Sequence, residues 1–121
     1  MAVSVREVKN VKVVRLEGKL VAGEPVDKLC KCVRELLASG TKEFAVDLSG
    51  VEHLDSCGIG AIADISFSAQ DVGATCRFFG ASPAVLTILK RVNLHRAIQL
   101  FPDESAALTK SPSAHIPDLV S

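Results

Sequence analysis

The sequence predicts an α/β domain: a mixed β-sheet with an N-terminal β-hairpin and helices packed against it, in the order ββαβαβαβα. Three observations predict it. "VSVREVKNVKVVRLEG" alternates apolar and polar residues on both sides of Lys9-Asn10, the pattern of a hairpin. Beyond it, segments with helical apolar spacing alternate with short apolar runs. Helix-start and helix-stop residues punctuate them. Crossovers of this kind place parallel strands side by side with helices against the sheet.

Each later element has its own signal. From Pro25 to Ser39, Val26, Leu29, Cys30, Val33, Leu36 and Leu37 form a helical stripe, with Gly40 placed to end it. "EFAVDLSG" reads as a short strand, followed by a loop from Leu48 to Ser56. Ile59, Ile62, Ala63 and Ser66 give the inner face of a second helix running to about Asp71. "TCRFFG" is the next strand, and "SPAVLTILKRV" a helix with a Ser-Pro start and Ala84, Leu86, Ile88 and Leu89 available for packing. "AIQLF" is a last strand. "DESAALTK" is a last helix whose acidic first turn and terminal lysine suit the helix dipole. Residues 1–110 therefore read as one domain, and 111–121, with two prolines and little pattern, as a loose tail.

Composition removes several functions. Fourteen basic and fourteen acidic residues give zero formal charge, and the basic ones are scattered. Nucleic-acid binding needs clustered Lys and Arg, and without Tyr or Trp a base-stacking platform is not expected either. Apolar stretches are short and interrupted by charges, so no membrane insertion is expected, and the N-terminus carries no secretory signal pattern. The four cysteines lie in apolar or helix-start contexts, which suits reduced intracellular thiols. Cys30 and Cys32 point about 200° apart on a helix, unlike a chelating pair. His53, His95 and His115 have no ligand-like spacing. Neither a metal nor another cofactor is expected.

"VEHLDSCGIGAIADI" concentrates the chemistry. In open α/β sheets functional loops sit at the carboxyl ends of strands, and this is such a place. Asp55, Ser56 and Cys57 admit three readings. A nucleophile at Ser56 or Cys57 needs a nearby base, and only His53 is close in sequence, with no G-x-S-x-G elbow. Cys57 otherwise reads as a small packed side chain in the first helical turn. A phosphate-binding turn could use Gly58 and Gly60, but no nucleotide-loop pattern is present and Asp55 would repel the anion. Third, Ser56 reads as an N-cap hydroxyl at the surface, open to phosphorylation, with glycines that let a partner's backbone approach.

"VDLSGVEHLDSCGIGAI", with "RFFGASPAVLTILKRVNLHRAIQLFPDESAAL" downstream, resembles the STAS domain of bacterial anti-sigma factor antagonists. The match spans most of residues 11 to 110. The family pattern is a strand ending like D-L-S-x-V, then D-S-S/T-G-L/I-G. Here Cys57 stands at the usual Ser/Thr, and "EGKLVAGEPVDKL" has Lys19, Leu20 and Val21 where Gly-Glu-x-Asp is common. The resemblance implies a non-enzymatic, cytoplasmic partner-switching regulator, able to self-associate, with no catalytic residues. Ser56 would be phosphorylated by an anti-sigma factor that is also a serine kinase, and dephosphorylated by a PP2C-type phosphatase. Asp55, Ser56, Cys57, Gly58, Ile59 and Gly60 would contact the partner. The alternative is a STAS adaptor module of a signalling or transport complex, nucleotide-binding in one version, without a phosphorylation switch.

Overall fold

The computed structural model describes residues 1–109. The elements follow the expected order: β1 (Ala2–Val8), β2 (Val11–Leu20), α1 (Glu24–Ala38), β3 (Glu43–Leu54), α2 (Ser56–Asp71), β4 (Thr75–Phe79), α3 (Pro83–Arg91), β5 (Gln99–Phe101) and α4 (Glu104–Thr109). A 3₁₀ turn at Leu94–Arg96, absent from the sequence reading, joins α3 to β5. The tail 111–121, His115 and the terminal Lys110 lie outside the described residues.

The five strands lie in the order β1-β2-β3-β4-β5, with β1 antiparallel to β2 and every later pair parallel. The hairpin turns where its two central residues can adopt positive φ: Lys9 at 52° and Asn10 at 68°. That is the twist-matched two-residue turn, for which Asn is well suited. Gly40, at φ 93°, ends α1 as expected. The Thr41 N–H donates to the Leu36 carbonyl at 3.0 Å and the Gly40 N–H to the Leu37 carbonyl at 3.1 Å, the paired bonds of a Schellman stop.

Strand alternation sorts the core into two clusters. Val14 and Leu16 of β2, Phe44, Val46 and Leu48 of β3, and Cys76 and Phe78 of β4 pack with α1, α2 and α3. The intervening Val13, Ala45 and Phe79 pack with Ala107 of α4 in a smaller cluster. Between Cys76 and Phe78, Arg77 is 1% exposed, with Nη1 3.4 Å from Glu43 Oε1. The half-exposed carboxylate of Glu43 faces this buried charge, and neutralising Glu43 alone would leave Arg77 buried and unpaired.

Two helix faces differ from expectation. In α2 the buried residues are Gly58, Ala61, Ile62, Ile65 and Ala69, while Ile59, Ala63 and Ser66 are only half-buried at its flanks. In α3 Val85 and Leu89 are buried and Ala84 is exposed. Small and apolar residues surround both helices, so helical periodicity leaves their rotation open; contact with the sheet sets it. Among the described residues no helix is long and apolar enough to cross a membrane.

Candidate functional site

The Asp-Ser-Cys-Gly segment sits at the end of the longest strand. Instead of a loop from Leu48, β3 continues to Leu54. Its pairing with β4 ends at Asp47↔Phe79, but β2 accompanies it on through Gly50, Val51, His53 and Leu54, with two irregularities in register. The two strands thus project beyond the rest of the sheet, and α2 starts one residue after β3 stops.

That residue is Asp55, and it does the capping expected of Ser56. Its Oδ1 accepts from the Gly58 N–H at 2.8 Å, with extended backbone at φ −103° and ψ −174°. Its Oδ2 accepts from the Ala22 N–H at 2.9 Å. One carboxylate therefore ties the start of α2 to the segment that leads into α1. These two backbone donors, Ala22 first, hold the Asp55 carboxyl below the usual carboxylate range.

Ser56 becomes the first helical residue, exposed, with its hydroxyl free of the cap. Cys57 is exposed as well, not packed as expected, because the inward position of this first turn belongs to Gly58. Gly58 is buried against β2: a Cβ built there would stand 2.1 Å from the Leu20 carbonyl oxygen. It is a packing glycine, buried where α2 meets β2. Gly60 is exposed with nothing within 4 Å of an added Cβ, and Ile59 is half-buried against the core. The outward surface of the segment is therefore Ser56, Cys57 and Gly60, with Asp55 beneath them.

Among the described residues Ser56 and Cys57 have no hydrogen-bonded base, and His53 lies in β3 opposite Lys19. Burial pushes the thiols of Cys30, Cys32 and Cys76 up, which keeps them neutral. No group of three or more His, Cys, Asp or Glu among these residues could hold a metal ion. The geometry presents an exposed hydroxyl at a helix start, where backbone N–H groups and the helix dipole accommodate an added anion.

The model of the STAS domain matches residues 2–107. The chain belongs to the STAS domain family. A search of curated proteins finds no match. Solved STAS structures that resemble it include a candidate anti-sigma factor antagonist from Thermotoga maritima, with TM-score 0.81 and 25% identity over 88% of this chain and 92% of that one. An anti-sigma factor antagonist from Mycobacterium paratuberculosis gives TM-score 0.77 at 22% identity, covering 89% of this chain and 91% of its own. The Bacillus cell fate determinant SpoIIAA in its phosphorylated form gives 0.66 at 17% identity, covering 87% and 96%. The family resemblance read from the Asp-Ser-x-Gly-Ile-Gly segment and the mixed-sheet fold class are thus correct. In this STAS domain the missed contributors are backbone groups, the Ala22 N–H and the Leu20 carbonyl, which carry no side-chain signal in the sequence.

The clasp formed by Asp55 has a pH signature. Its folded-state carboxyl titrates below the ordinary value of 3.8, so its stabilisation is complete above that value and is lost as pH falls toward the folded pKa. Asp55→Ala is expected to lower the melting temperature at neutral pH. Asp55→Asn keeps an acceptor and should recover part of the loss. Unfolding in urea, followed from neutral to acid pH, should show the difference between the STAS domain and Asp55→Asn shrinking below about pH 4. A difference that stays constant with pH would mean the carboxylate charge contributes nothing.

Proposed function

We propose that this STAS domain is a non-enzymatic, cytoplasmic regulator of the anti-sigma factor antagonist kind. It binds an anti-sigma factor or related signalling protein through the exposed surface around Ser56, and phosphorylation of Ser56 ends the association. The cognate anti-sigma factor would act as the serine kinase and a PP2C-type phosphatase would reset the switch. One observation carries the reading: Asp55 caps α2, which leaves the Ser56 hydroxyl exposed and uncommitted at the helix start. The resemblance to a family member solved in a phosphorylated form supports it. Asp55, Cys57, Ile59 and Gly60 would complete the contact, and Gly58 would hold the segment in place.

The test is reaction with the cognate anti-sigma kinase and ATP, followed by mass mapping of the phosphate. It is expected on Ser56; stoichiometric phosphate elsewhere, with Ser56 unmodified, would overturn the reading. Because the hydroxyl makes no cap, Ser56→Ala is expected to change stability by no more than about 0.5 kcal/mol. The variant should hold the partner in the presence of kinase and ATP, whereas the parent releases it.

A further inference from the structure

A cavity of about 340 Å³ opens between the last turns of α2, the start of β4 and the segment leading into β5. Ser66, Gln70, Thr75, Arg96 and Gln99 line it, with the buried Cys76 and Ile98 adding apolar surface. Two hydroxyls, two amides and a guanidinium therefore border one space. Among the described residues none of these five side chains has a hydrogen-bond or ion-pair partner. Ser66, Thr75 and Gln99 are also half-buried, so their polar groups are partly withdrawn from bulk water.

The charge balance of the lining is one-sided. Arg96 contributes a cation and no carboxylate lines the cavity. Burial also keeps the Cys76 thiol neutral, so it adds no competing negative charge. A guanidinium presents a planar fork of donors that fits a phosphate or carboxylate. Hydroxyls and amides both donate and accept, which suits a ligand body bearing hydroxyl groups. The volume lies at the small end of ligand sites, which excludes large cofactors. We infer that this cavity binds a small organic anion, its phosphate or carboxylate head on Arg96 and its hydroxyl-bearing body against Ser66, Gln70, Thr75 and Gln99. The site is distinct from the switch: Ser66 lies ten residues along α2 from Ser56, about 15 Å at the helical rise.

The experiment is an amide NMR titration of the full chain with inorganic phosphate, glycerol 3-phosphate, glycerate and glycerol. Saturable shifts are expected with glycerol 3-phosphate or glycerate, confined to residues 66–76 and 96–99, and the stronger of the two identifies the head group. Inorganic phosphate should bind more weakly at the same residues, and glycerol should not bind. Arg96→Gln is expected to weaken binding about tenfold or more, as loss of a charge-assisted pair requires. Arg91→Gln, at an exposed residue outside the cavity, should leave it unchanged. No saturable shift with either organic anion, shifts centred on residues 56–60, equal binding of glycerol, or full binding by Arg96→Gln would each overturn the assignment. None of these outcomes bears on phosphorylation at Ser56, so the two proposals fail independently.

Discussion

Gly58→Ala is expected to destabilise the domain by about 3 kcal/mol, and Gly60→Ala, two residues on, to stabilise it by about 0.5–1 kcal/mol. The same chemical change has opposite signs because the surroundings differ. At Gly58 the new methyl would sit 2.1 Å from the Leu20 carbonyl oxygen and 3.1 Å from its carbon. The obstacle is the backbone of β2, which cannot rotate aside, so α2 must shift or β2 must bend. Alanine's better helix propensity, worth about 1 kcal/mol, does not offset that. At Gly60 nothing lies within 4 Å, and the residue already has a helical backbone, so only the propensity gain remains. Urea unfolding of both variants measures the pair, and the Gly58→Ala loss corresponds to a melting temperature lower by about 10 °C. A near-neutral Gly58→Ala would mean that the start of α2 slides freely on β2, and the fixed position of Ser56 would no longer follow.

Such particulars show where sequence reasoning ends in this chain. The hairpin was legible because Lys9-Asn10 separates two stretches of mostly alternating apolar and polar residues, and the end of α1 because Gly40 supplies the positive φ that a Schellman stop needs. The length of β3 was not legible: Gly50 and His53 look like loop residues, and only pairing with β2 makes them part of a strand. The cap was ambiguous for a different reason. Asp55 and Ser56 are both good N-caps, and a one-residue choice between neighbours depends on which can also reach the Ala22 N–H. Gly58 could be read as flexible or as close-packed until Leu20 was placed beside it. Arg77 breaks an apolar run, and nothing local signals that Glu43, thirty-four residues earlier, lies across the sheet from it.

Phosphorylation of Ser56 is expected to leave the melting temperature nearly unchanged and to weaken partner binding about a hundredfold or more. The first half follows from the cap. Asp55 Oδ1 already holds the Gly58 N–H, so esterifying the neighbouring hydroxyl removes no bond from the fold. The modified side chain is exposed and sits at the N-terminus of a sixteen-residue helix, whose dipole favours negative charge. The core of α2, by contrast, is built from Ala61, Ile62, Ile65 and Ala69, which the phosphate does not reach. The second half follows from charge. A phosphate adds about 1.5 to 2 negative charges beside the carboxylate of Asp55, and a partner surface carrying carboxylates or apolar groups is then repelled or left facing a desolvated charge. Ser56→Asp adds one charge in a different shape, so its loss of affinity should be smaller. Thermal unfolding and partner titration on the same phosphorylated and unmodified samples separate the two halves. Loss of affinity should shrink as salt is raised, because exposed charges are screened. A fall in melting temperature large enough to account for the lost binding would place the switch in the stability of α2 instead of in the charge of its first turn.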